Sequence, residues 1–159
     1  MDRPFQLTER SFQLTERSFQ LTERPLEEFP ALAVPPSCGA VVTFWGRVRN
    51  RNEGRVVTGL EYATYEVLAL KEGERIMEEA AVRFGLEACR AVHRIGELAL
   101  GDAAVIVEVA TGHRDEAFEA CRWIIDAVKA RVPIWKRERY AEGDREWVTC
   151  RHESTTTGN

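Results

Sequence analysis

The sequence predicts an α+β domain, and three observations carry that prediction. Segments of strand and helix character follow one another as strands, helix, strands, helix, strand, an order that suits an α+β arrangement. One strand, Ala103 to Ala110, is apolar almost throughout, the pattern of a strand covered on both faces. The length of 159 residues suits one domain at roughly 100–200 residues per domain and is enough to bury a sizeable core.

The N-terminal segment stands apart. Arg-Ser-Phe-Gln-Leu-Thr-Glu runs from Arg10 to Glu16 and again, unchanged, from Arg17 to Glu23; Arg3 to Glu9 is the same unit with Pro4 in place of Ser. The apolar pairs Phe5/Leu7, Phe12/Leu14 and Phe19/Leu21 are not spaced as a coiled-coil seam. Phe-x-Leu-Thr alternates as a short strand does. We read the array as a tandem duplication of one native segment. The copy that continues into Arg24-Pro25-Leu26 pairs with the domain, and the earlier copies form a mobile extension; an extended amphipathic helix is the alternative. The expected boundaries are residues 1–18 for the extension, 19–150 for the domain and 151–159 for a polar tail.

Pro30, Pro35 and Pro36 mark a connecting segment. Cys38 to Arg49 is rich in β-branched and aromatic residues and reads as a strand. Asn50 to Gly54 is a polar turn and Val56 to Tyr65 a second strand, so the pair reads as a hairpin. Val67 to Phe84 is helical, with Gly85 as its stop; Gly73 in its middle costs about 1 kcal/mol relative to Ala and predicts an irregular helix. Glu87 to Ile95 is a strand, Gly96 to Asp102 a turn, and Ala103 to Ala110 the central strand. Asp115 to Lys129 is a helix with acids in its first turn and an apolar stripe of Ala117, Ala120, Cys121, Ile124, Ile125 and Val128. Pro133 ends it. Glu146 to Cys150 is a last short strand.

Composition narrows the function. The chain is 44% hydrophobic and 30% charged, ordinary for a soluble protein. No apolar run approaches the ~18–20 residues of a membrane span, and no basic-then-apolar leader is present, so a cytoplasmic location is expected. A net charge of −4 argues against a nucleic-acid coat protein. Cys38, Cys89, Cys121 and Cys150 form no CxxC pair and read as reduced thiols, not as a disulfide frame or zinc site.

Of 22 basic residues only three are lysine, Lys71, Lys129 and Lys136. Lysine differs from arginine in being able to lose its proton when desolvated, so it can act as acid, base or nucleophile. Lys129 and Arg131 also suit a helix C-terminus, but Pro133 has ended the helix before Lys136 and Arg137. Thr111-Gly112-His113-Arg114 opens the second helix, where backbone N–H groups favour anions and Arg114 could grip a phosphate; a plain helix cap is the alternative for His113. Arg47 and Arg49 fall on one face of their strand, as a solvated edge or as one wall of an anion pocket. His93 and Arg94 read as structural, and no third ligand joins His93 and His113 for a metal. No phosphate loop, nucleophile elbow or dinucleotide fingerprint is present. These residues alone predict a domain that binds a phosphorylated small molecule, with one or two lysines free for chemistry.

Taken together the motifs go further. Gly39-Ala-Val-Val-Thr-Phe-Trp-Gly-Arg-Val-Arg49, His93-Arg-Ile-Gly96, Gly112-His-Arg-Asp-Glu-Ala-Phe118 and Lys129-Ala-Arg-Val-Pro-Ile-Trp-Lys-Arg-Glu138 resemble the large, catalytic subunit of molybdopterin synthase, in order and spacing, over roughly Phe19 to Cys150. The resemblance implies an antiparallel sheet with packed helices in a hammerhead-like single domain. It implies a homodimer in which each protomer binds a small ubiquitin-like sulfur-carrier subunit, a heterotetramer overall. The carrier's Gly-Gly thiocarboxylate tail would deliver two sulfurs to cyclic pyranopterin monophosphate, forming the dithiolene of molybdopterin in molybdenum cofactor biosynthesis. Lys129 and Lys136 match the family's catalytic lysines. Arg49, His113 and Arg114 match positions that hold the substrate, with Arg47 beside them. No metal or organic cofactor is implied, and no nucleic acid or membrane partner. The family's usual Glu is replaced here by Ala63. The competing readings are a non-catalytic phosphate-ligand or RNA-binding module on the same basic pocket, and a scaffold that only holds a ubiquitin-like partner.

Overall fold

Every residue of the strand Ala103–Thr111 is buried, as its uninterrupted apolar sequence requires. The computed structural model describes residues 17–143 and 145–150; of the expected extension, 1–18, residues 1–16 lie outside the described residues, as does the tail 151–159, whereas Arg17 and Ser18 belong to the first strand and move that boundary back by two residues. The strands are β1 (Arg17–Thr22), β2 (Ala40–Arg47), β3 (Arg51–Asn52), β4 (Arg55–Thr64), β5 (Ala88–Arg94), β6 (Gly96–Leu98), β7 (Ala103–Thr111), β8 (Ile134–Tyr140) and β9 (Arg145–Thr149). The helices are α1 (Glu66–Phe84) and α2 (Arg114–Arg131), with a 3-10 turn at Leu26–Glu28.

The α+β class and the two long helices follow the sequence. The strands divide into two sheets, one ordered β1–β5–β7–β2 and one built on β3–β4–β8–β9 with β6 beside β4. Their pairings are antiparallel except that β1 runs parallel to β5. Helices α1 and α2 cover one face of the first sheet, where Val105, Val107 and Val109 meet Ile76, Ile124 and Val128. The connecting segment covers the other face: Leu26 packs on Val92 and Ile106, and Leu32 on Ala88 and Ala110. Beneath it, Arg90 Nε donates to Glu108 Oε2 at 2.7 Å and Arg90 Nη2 to Pro30 O at 2.7 Å. Both charged residues are buried and face each other in register.

Two expectations need correction. The segments expected to form one hairpin are in different sheets: β2 pairs with β7, and β4 with β8. A register shift at Gly46/Arg47 ends β2. Val48 is then pinned to the next turn, its N–H on Asp102 O and its O on Gly101 N–H, each at 2.9 Å. Only the tip is a local hairpin, β3 against β4, through Glu53 and Gly54 at φ 50 and 77. Adjacency in sequence suggests the pairing; burial decides against it, because Val42 on β2 packs into the core of the first sheet.

The second correction concerns Gly73. Helix α1 runs unbroken from Glu66 to Phe84. A Cβ on Gly73 would lie 2.1 Å from the ring of Phe19, which is only 4% exposed. The glycine admits an aromatic ring whose burial stabilises by roughly 1.5–3 kcal/mol, more than the propensity it gives up. Gly85 caps the helix in the left-handed region at φ 62, as expected.

Candidate active site

Lys129 stands exposed in the last turn of α2. Val132 leaves the helix in an extended conformation, its N–H still bonded to Val128 O, because Pro133 disfavours helical backbone before it. Arg131 ties this end to α1, bonding Glu72 at 2.7 Å and Glu79 at 2.6 Å.

Lys136 lies on β8, a strand that the local sequence pattern does not announce. It sits opposite Tyr62 on β4 and Val148 on β9. Alternation places Lys136 and Glu138 on one face, and Lys136 Nζ is 3.3 Å from Glu138 Oε1. Glu138, 6% exposed, also accepts from Asn52 Nδ2 at 2.8 Å and from the Tyr140 hydroxyl at 2.6 Å. Burial works against its charge, but Tyr140, Asn52 and Lys136 together hold the carboxyl below its ordinary range. Lys136 therefore faces a fixed carboxylate.

Tyr62, His93 and Cys150 complete the surroundings. The Tyr62 and His93 rings meet edge-on, centroids 4.8 Å apart. His93 Nδ1 lies 2.7 Å from Arg94 O; a carbonyl accepts, so Nδ1 carries the hydrogen. Burial, with Lys129 adding to it, pushes this imidazole down to about 4 against the pull of the Arg94 carbonyl, so it is neutral at pH 7. Burial pushes the Cys150 thiol up, and Lys136 and Lys129 both oppose this. The two lysines, seven positions apart across Pro133, thus act on one thiol. One stands at a helix end and the other on the strand that follows, with Pro133 between them.

The other expected residues are distributed differently. Helix α2 runs back along β7 and β2, so Lys129 returns to the end where Arg47 leaves β2. Arg47 Nε donates to Gly101 O at 3.1 Å. Arg49 is exposed between two pinned residues, Val48 and Asn50, the latter accepting from Val57 N–H at 2.8 Å. His113 and Arg114 are exposed at the opposite end. His113 occupies the N-cap position without a side-chain cap bond, and its carbonyl accepts from the Thr111 hydroxyl at 2.5 Å. Along α2, Arg114–Arg131, they are separated from Lys129 by about 23 Å at 1.5 Å per residue. Within one chain these two groups do not share a site.

A cavity of about 510 Å³ lined by Glu78, Glu79, Val82, Arg83 and Trp123 lies on the outer side of the helices and includes none of the expected site residues. Among the described residues no three His, Cys, Asp or Glu side chains are placed to hold a metal ion, and no helix is long and apolar enough to cross a membrane.

Comparison with known proteins adds to this geometry. A family model described as MoaE protein matches residues 15–131. The chain is 50% identical over 119 residues to a molybdopterin synthase catalytic subunit from Pyrococcus abyssi, covering 75% of this chain and 80% of that one. It resembles the crystal structure of molybdopterin synthase from Staphylococcus aureus with a TM-score of 0.74 at 32% identity, over 84% of this chain and 96% of that chain. A complex of subunits 1 and 2 of molybdopterin-converting factor from Helicobacter pylori shares the fold, with a TM-score of 0.59 at 24% identity over 70% of this chain and 73% of that one.

Proposed function

The chain belongs to the MoaE protein family, and on that premise we propose that it is the catalytic subunit of a molybdopterin synthase in which Lys129 and Lys136 carry the chemistry. It is a sulfurtransferase of molybdenum cofactor biosynthesis. It takes sulfur from the C-terminal thiocarboxylate of a small ubiquitin-like carrier subunit and places it on cyclic pyranopterin monophosphate. The observation that carries the assignment of roles is the pairing of Lys136 Nζ with the buried carboxylate of Glu138 at 3.3 Å, on the strand that follows the helix end bearing Lys129.

Both reactants are anions, so a basic site draws them in. The carrier's sulfur attacks a side-chain carbon of the pterin and the carbon–oxygen bond there breaks, the oxygen leaving with a proton; the acyl carbon must then be released. Water adds to it, an oxyanion forms, and the carbon–sulfur bond breaks to leave a carrier carboxylate and a sulfur on the product. An ammonium beside that oxygen stabilises the charge and moves protons. Lys129, at the exposed helix end, is assigned to the thiocarboxylate. Lys136, oriented by Glu138, is assigned to the space between the thiocarboxylate and the pterin. Arg49, His113 and Arg114 are assigned to the substrate's phosphate and pterin, with Arg47 beside them. The homodimer accounts for the distance along α2: His113 and Arg114 of one protomer meet the lysines of its partner. The reaction belongs in the cytoplasm, consistent with four cysteines that are all unpaired.

Reconstitution with thiocarboxylated carrier and cyclic pyranopterin monophosphate tests the reading by formation of the dithiolene. Lys129→Ala and Lys129→Arg should each lower the rate by about 10²–10⁴-fold, the range of a positioned acid–base group. Full activity of folded Lys129→Arg would mean that charge alone matters, as in a binding module.

A further inference from the structure

The edge strand β1 has a duplicate. Arg17-Ser18-Phe19-Gln20-Leu21-Thr22 fills the end of the first sheet, and Arg10-Ser11-Phe12-Gln13-Leu14-Thr15 repeats it residue for residue, with Glu following both. The seat is fitted to that sequence. Phe19 fills the space left by Gly73, and Leu21 packs on the same core. The backbone runs parallel to Cys89–Arg94, and Thr22 O accepts from Ile95 N–H at 2.8 Å. Each of these contacts uses an atom that the earlier copy also has. Even the bond from Arg24 N–H to the Thr22 hydroxyl, 3.0 Å, has an equivalent in Arg17 and Thr15.

The exit from the seat is open. Glu23, Arg24 and Pro25 are exposed, and the chain is buried again only at Leu26. Seven further residues at this point extrude into water without displacing a packed side chain. The entropy of closing such a loop grows only logarithmically with its length.

We propose that either copy fills the β1 seat within the same molecule. The main register holds Arg17–Thr22. A minor register holds Arg10–Thr15, with Glu16 and Arg17 in the places of Glu23 and Arg24 and residues 18–24 looped out before Pro25. The repeat is then a replacement strand: a lesion in the third copy is met by a slip of seven residues and not by loss of the sheet edge. The first copy carries Pro4 where the others have Ser, so the proposal concerns the two identical ones.

A mutant cycle in the full chain tests it, in a Phe5→Ala background that withdraws the first copy. Phe12→Ala alone should leave the thermal midpoint unchanged. Phe19→Ala should lower it by less than half the shift of the Phe12→Ala/Phe19→Ala double variant, because Phe12 takes the seat. A Phe19→Ala shift equal to that of the double variant overturns the proposal. Phe12→Leu and Phe19→Leu give the same comparison with a smaller perturbation should the double alanine variant not fold. Hydrogen exchange reports the occupant directly. In Phe19→Ala the amides of residues 11–15 should become protected while those of 18–22 lose protection; unprotected 11–15 amides overturn the slip.

Discussion

Lysine is scarce in this chain, and scarcity alone marks Lys129 and Lys136 as residues to explain. What the fold adds is their setting. Glu138 falls within the same singled-out segment, but its sequence position does not identify it as the partner of Lys136. Nothing local marks Ile134–Tyr140 as a strand, so the two-residue alternation that puts them on one face is invisible. His93 reads as structural, and its burial and neutral state suit that. They also yield a pH prediction. Its folded value, about 4, lies below the ordinary ~6.5, so the unfolded chain binds the proton more readily. The stabilisation is complete above about pH 6.5 and is lost as pH falls toward 4, by roughly 3 kcal/mol in all. Urea unfolding between pH 7 and 4 should show this loss, and His93→Gln should flatten it over that window. Acid loss from carboxylates such as Glu138 should persist in the variant; an unchanged slope would show that His93 is not the group responsible.

At the scale of elements, the central strand and both helices are legible because their signals are local: an apolar run, a stripe with period 3.6, a glycine stop, a proline break. Strand pairing is not. The hairpin rule joins neighbours in sequence, whereas β2 finds β7 because that pairing lets Val42 reach the helical side of the sheet. The pair Arg90–Glu108 is equally hidden, since two charges in separate strands reveal nothing about register until β5 and β7 are aligned. It welds the connecting segment to the sheet through Pro30. Removing Glu108 leaves the Arg90 charge buried without a counter-charge, so Glu108→Ala should destabilise by about 3–5 kcal/mol. Denaturant unfolding measures this; a loss below about 1 kcal/mol, the scale of an exposed pair, would mean that water reaches Arg90.

At the scale of the molecule, one chain holds His113 and Arg114 at the opposite end of α2 from Lys129. If His113 and Arg114 serve the lysines of the partner protomer, mixing inactive Lys129→Ala chains with inactive Arg114→Ala chains should recover activity. Each mixed dimer then has one site carrying both lesions and one carrying neither. About a quarter of the sites are intact after random mixing, a figure that follows from the binomial pairing of chains in a two-fold dimer. No recovery, with exchange of protomers verified, would place all these residues in one chain. The repeat also belongs to this scale. Deleting Asp2 to Glu16 should leave the activity and the melting temperature nearly unchanged, because the main register of β1 starts at Arg17. A large loss of either would mean that the array takes part in the fold or an interface.

The class of fold, the two helices and their ends, the central strand and the residues able to do chemistry are all written locally in the chain. Each depends on composition, periodicity or backbone preference within a few residues. Long-range packing alone settles that there are two sheets, that β1 runs parallel to β5, and that Lys136 faces a buried carboxylate. Those outcomes rest on which distant segments bury one another's surface, a choice made by the whole core and encoded in no single stretch of the chain.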